Sequence, residues 1–177
     1  DIDEKSLAAV GQWPWPRDKM AALVDSMFQQ HGAAIVGVDM VFAEPDTSSG
    51  LLALERLAQG PLGQQAEFMQ QVAELRPSLD HDAQFARTLA RHPVALGYYF
   101  SSDRNGQQHG QLPAPVMRKD DLQGRRLRAT SWNGYGANLP IFAQAAPAAG
   151  FFNSVTSSDG VVRAVPLLAE FEQQYYA

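Results

Sequence analysis

The 177-residue chain has no cysteine, which removes disulfides, thiolate-held zinc and cysteine nucleophiles together. That absence leaves the cellular compartment open, because many exported bacterial domains also lack the residue. No apolar run is long enough to span a bilayer, and no signal peptide opens the chain. Phosphate-cradling glycine loops and the Gly-x-Ser-x-Gly nucleophile elbow are missing too. Basic residues are in the minority, 14 against 19 acidic ones, and the net charge of −5 argues against a nucleic-acid partner. The four histidines are scattered with no pair at zinc-ligand spacing, so neither a metal nor a cofactor is expected.

What remains is an ordinary globular composition, 45% hydrophobic and 19% charged, in a length that suits a single domain over residues 1–177. The most distinctive stretch is Trp13-Pro14-Trp15-Pro16-Arg17. Each proline fixes its own φ and biases the preceding tryptophan toward extended backbone, so the stretch should be a stiff strap. It follows a first segment read as a strand around Ile2, and it feeds a helix over about 18–31 that ends at His31-Gly32. The apolar run 34–42 suits a central strand covered on both faces.

Residues 47–79 read as a helical excursion, glutamine-rich and therefore surface-lying, with its second helix closed by Arg76-Pro77. A further helix over about 80–91 leads into a strand at 94–100. Asn133-Gly134-Tyr135-Gly136 reads as loop and Ile141 to Ala146 as a short helix. The Asp159-Gly160 turn between apolar segments marks a C-terminal β-hairpin, with strand continuing over about 161–172. The expected fold is α/β: a sandwich-like domain with a central mixed sheet flanked by helices.

Asp39 is the carboxylate that needs explaining, because it sits in an apolar run where an unpaired buried charge would cost several kcal/mol. The structural explanation is an ion pair with Arg17 or Arg163; the functional one is a small acidic site with Glu44 and Asp46 for a hard cation or polar ligand. Asp80 and Asp82, flanking His81 at a helix start, read as capping residues. Trp13, Trp15, Trp132, Tyr98, Tyr99 and Tyr135 are either core or the lining of an aromatic pocket.

Several blocks in order resemble the CHASE family of extracellular sensor domains, type two, the input module of bacterial cyclases, histidine kinases and serine/threonine kinases. They are Ile2-Asp3-Glu4-x-Ser6-Leu7, Gly11-Gln12-Trp13-Pro14-Trp15-Pro16-Arg17, and Gly32-Ala33 with Val38-Asp39-Met40-Val41-Phe42-Ala43-Glu44-Pro45-Asp46. Asp82-x-x-Phe85-Ala86, Leu112-Pro113-x-Pro115, Gly150-Phe151-x-Asn153 and Asp159-Gly160-Val161-Val162-Arg163-x-Val165-Pro166-Leu167 follow. The 47–79 segment is longer than the family pattern and reads as an insertion.

The resemblance implies a sensor without catalysis of its own, on the periplasmic or extracellular face of the cytoplasmic membrane. It also implies anchoring through flanking segments outside this chain, an unidentified small-molecule ligand, and an output domain of cyclase or kinase type. Trp15, Arg17, Asp39, Glu44, Asp46, Asn153 and Arg163 are the candidate ligand-binding residues; shared folding roles are the alternative for the polar ones. The competing functional reading is a dimerisation or docking module that contacts its partner through 47–79. A metal-dependent hydrolase built on Asp39, Glu44 and Asp46 is the third.

Overall fold

The computed structural model describes residues 2–177. The chain forms two compact units: one holds the residues up to Ala34 together with Pro45–His92, the other Ile35–Glu44 with Pro93–Ala177. The architecture is α/β, as expected.

The first unit is helical, with α1 (Glu4–Val10), α2 (Arg17–Gln29), α3 (Leu51–Ala58), α4 (Ala66–Leu79) and α5 (His81–Arg91). The strand expected around Ile2 is instead the approach to α1. Asp3 caps that helix by accepting the Ser6 N–H, and Gly11 closes it at φ +111°. Local capping chemistry outweighs the lone apolar residue that suggested a strand. The 47–79 segment is helical and largely exposed, as its glutamines imply, but α4 carries Pro77 within it rather than ending there.

Helices α2 and α5 form the centre of this unit, burying Met20, Ala21 and Val24 from one and Phe85, Ala86, Thr88 and Leu89 from the other. Asp25 on α2 receives His92 at 2.8 Å and Arg91 at 3.4 Å, and the His92 ring stacks on Phe28. The strap is irregular, with a cis Trp13–Pro14 bond. Its two indoles divide the labour: Trp15 is buried and donates its N–H to the Gly11 carbonyl, while Trp13 is 42% exposed and meets Trp15 in a T-shaped contact at 5.7 Å.

The second unit is built on β2 (Val94–Ser101), which pairs in parallel with β1 (Val36–Val38) on one side and β7 (Ala148–Phe151) on the other. The far half of β2 pairs antiparallel with β6 (Gly134–Gly136), and β6 pairs in parallel with β3 (Gln108–His109). This is the mixed sheet expected, but its centre is β2. The run 34–42 supplies only three strand residues, and Ile35 is 66% exposed, so it is not a strand buried on both faces. The 133–136 segment, read as loop from its glycines, is β6; the missing Cβ atoms at Gly134 and Gly136 admit Ser101 and the Tyr99 ring at close range.

A second sheet runs β4 (Met117–Arg118), β11 (Gln174–Tyr176), β10 (Ala169–Phe171), β5 (Thr130–Ser131). Tyr98, Phe100, Ala137, Ala169, Phe171 and Tyr176 make the core of this unit, with Phe100 meeting Phe151, Phe171 and Tyr176 ring to ring. The helix α6 (Pro140–Ala145) adds Phe142. The expected hairpin at Asp159-Gly160 joins β8 (Val155–Thr156) to β9 (Val162–Ala164). The expected continuation to 172 breaks off instead, and β10 and β11 form a second hairpin whose turn holds Glu172 and Gln173 at positive φ.

Two asparagines extend the β2 ladder after its neighbours have left. Asn153 lies just beyond β7; its amide accepts the Phe100 N–H at 2.7 Å and donates to the Phe100 carbonyl at 2.8 Å. Asn138, buried, accepts the Phe42 N–H at 2.8 Å and donates to the Gly97 carbonyl at 2.9 Å. Each side chain acts as a surrogate peptide.

Candidate functional site

In the first unit the residues around the strap assemble into a polar cluster. Pro16 cannot cap α2 with a side chain, and Asp46 takes that role from the 43–50 loop, accepting the Arg17 N–H at 2.6 Å. The other Asp46 oxygen accepts the Ser48 N–H at 2.7 Å, and the Asp46 N–H donates to Asp82 Oδ2 at 3.0 Å. His81 Nδ1 stands 3.3 Å from Asp46 and 3.6 Å from Asp18, and Arg17 Nε is 3.8 Å from Asp82 Oδ1. Asp80 does cap α5, accepting the Ala83 N–H. Asp82, expected to cap as well, instead accepts the Asp46 N–H, and with His81 it ties the Asp46 loop to the start of α5.

Electrostatics separate the two buried carboxyls. Burial raises Asp46, but the hydrogen bonds from Ser48 and Arg17 and the charge of His81 outweigh it and hold the group below the ordinary aspartate value. Asp82 is raised, chiefly by burial, with the charges of Asp46 and Asp80 adding to the effect against the Asp46 N–H and Arg17. Asp46 Oδ atoms are saturated by protein donors and its side chain is only 6% exposed, so it serves as an internal staple. Of the candidate residues, the structure brings Arg17 and Asp46 together. Asp18, Ser48, His81 and Asp82 were not among them; Ser48 is a local i+2 partner of Asp46, whereas His81 and Asp82 reach Asp46, and Asp18 reaches His81, by tertiary contacts that leave no spacing signal.

Trp15 spends its polar atom on Gly11, and Asn153 spends both of its own on Phe100. Arg163 makes a bidentate pair with Asp159 at 2.7 Å for each bond, across the β8–β9 turn, so it is not the partner of Asp39. The Asp159 carboxyl is lowered by that pair. Asp39 itself is exposed, and among the described residues its carboxylate has no ion-pair partner. The premise that it needed a buried counter-ion fails because β1 is short and lies at one side of β2. Glu44 is exposed as well. Among the described residues no group of three or more His, Asp or Glu side chains could hold a metal ion.

Asp39 borders an open groove of about 340 Å³ in the second unit. Its floor is one face of the three parallel strands, where register and the two-residue strand period align Gly37 with Ala95, and Gly97 with Gly150. A Cβ at Gly37 or Gly150 would meet nothing within 4 Å, whereas one at Gly97 would strike the Phe152 ring at 2.9 Å. Phe152 therefore lies over Gly97, tilted against Tyr99 at 6.0 Å. The opposite face carries the buried Val38, Leu96 and Tyr98. A glycine inside each of three apolar segments was the available sequence signal for such close approach.

Among the described residues no helix is long and apolar enough to cross a membrane. No curated protein and no solved structure matches the chain. A family model described as the CHASE2 domain matches residues 1–177 and so spans both units. The blocks from the tryptophan strap to the Asp159–Arg163 turn and the full-length match agree: the chain belongs to the CHASE2 family of extracellular sensor domains.

Proposed function

We propose that this chain is the input domain of a bacterial membrane receptor, held at the periplasmic or extracellular face of the cytoplasmic membrane. It detects a small ligand or an environmental condition and relays it to a cyclase or kinase domain on the other side. The observation that carries this reading is the whole-chain membership in a family of extracellular sensors rather than catalysts. Two features support it: an acidic chain unsuited to nucleic acid, and polar residues of the shared blocks that act as staples, with Asp39 left available to a ligand.

Signalling requires the input domain to favour one receptor state over another; binding alone shifts nothing. The test is the output of the receptor that carries this chain, read in cells as second messenger or phosphorylated product. With the input domain destabilised by Asn138→Leu and the receptor assayed above that variant's lowered melting temperature, at unchanged receptor abundance, the output should change at least severalfold relative to the parent. Output indifferent to the state of this domain would refute the relay.

A further inference from the structure

We propose that the groove beside Asp39 binds a small organic cation, an ammonium compound carrying an aromatic or aliphatic group. This deepens the sensor reading and rests on it for its biological meaning, but the binding claim stands on the groove itself.

Charge decides the class. Among the described residues Asp39 is the one charged residue lining the groove, it is exposed, and it has no ion-pair partner. Arg163, one of the two cations expected to neutralise it, is committed to Asp159 through two 2.7 Å bonds. Among the described residues no lysine or arginine lines the groove, so the side-chain charge there repels a carboxylate or phosphate ligand.

The apolar half of the ligand follows from the walls. Phe152, which lines the groove, is 41% exposed although aromatic, and its ring is tilted against Tyr99 at 6.0 Å. An exposed aromatic face attracts a cation and covers an apolar group. The floor has bare backbone at Gly37 and Gly150, which lets a flat group lie directly on the sheet. Asp39 and Phe152 follow the last residues of β1 and β7, so the groove opens at the carboxyl ends of parallel strands, where open α/β sheets take their ligands. A volume near 340 Å³ fits a molecule of roughly ten to fifteen non-hydrogen atoms better than a macromolecule.

The experiment is a two-dimensional amide NMR titration of the 177-residue chain with 2-phenylethylammonium, run beside the uncharged 2-phenylethanol. The amides of Gly37, Gly97 and Gly150 should shift saturably with the ammonium compound and bind it at least about tenfold more tightly than the alcohol, the usual scale of a charge-assisted contact. Asp39→Asn should weaken binding about tenfold or more by removing the charge, and Gly150→Val should abolish it by filling the floor. Both variants should fold, since Asp39 has no ion-pair partner to lose and the Gly150 Cβ enters open space.

Equal binding of alcohol and ammonium would overturn the proposal, as would unsaturable shifts spread over the surface. So would groove shifts that grow with protein concentration alone, which would mark the face as covered by a second copy. Any of these leaves the extracellular location and the relay untouched, because those are read by separate measurements on the intact receptor.

Discussion

Replacing Asn138 by leucine should lower the unfolding free energy by about 3 kcal/mol or more, and the melting temperature by roughly 6–12 °C for a chain of this size. Leucine has the same number and branching of side-chain heavy atoms, so the exchange leaves no cavity. What disappears is the amide that accepts the Phe42 N–H and donates to the Gly97 carbonyl. Asn138 is only 3% exposed, so water has no route to replace either bond. Two buried backbone groups then go unsatisfied, at about 1–3 kcal/mol each. Asn153 makes the same pair of bonds to Phe100 but is partly exposed, and Asn153→Leu should cost about half as much because solvent can reach its partners. Calorimetric melting of the three proteins side by side gives the comparison. A leucine variant melting within a degree of the parent would show that the two bonds contribute nothing net.

Asp46→Ala should be the other severe change, costing about 2–4 kcal/mol at neutral pH. It strips the acceptor from the Arg17 N–H at the start of α2, where Pro16 has no side chain to substitute, and from the Ser48 N–H. The cap bond from the Arg17 N–H is part-buried and charge-assisted, worth about 1.5–3 kcal/mol, and the exposed Ser48 bond adds up to about 1 kcal/mol. The difference between variant and parent should depend on pH in a definite direction. The folded-state pKa of Asp46 lies below its ordinary value of 3.8, so its electrostatic contribution is complete above that value. It is lost as pH falls through the lowered pKa. Asp82 has the opposite sign: its raised pKa makes the ionised carboxyl a cost, relieved as pH falls toward 3.8. Urea titrations at pH 7 and pH 3 should show the penalty of Asp46→Ala shrinking at the lower pH; a penalty that grows on acidification would contradict the assignment.

Period and punctuation revealed much of this fold. The α5 helix and β2 strand have their own repeats and sharp ends at His92-Pro93, and the Asp-Gly turn places β8 against β9. Failures came where a few atoms overrode the pattern. Asp3 turned the Ile2 segment into a helix approach, and Gly134 and Gly136 were strand residues whose missing side chains make room for neighbours. Asp39 looked buried because its neighbours are apolar, yet β1 is three residues long and leaves it in solvent. The strap was legible as a family signature long before its chemistry was: Trp15 and Arg17 are positioned by Gly11 and Asp46, contacts no composition encodes.

The absence of cysteine turns the central claim, exposure outside the cytoplasm, into a single labelling measurement. Leu167 is 84% exposed, so Leu167→Cys places one accessible thiol in a chain that otherwise has none. In intact cells making the receptor, a small membrane-impermeant thiol reagent should add label, over that on the unsubstituted receptor, as fully as it does after lysis. A thiol protected in intact cells and labelled only once the cytoplasmic membrane is broken would contradict an extracellular sensor domain.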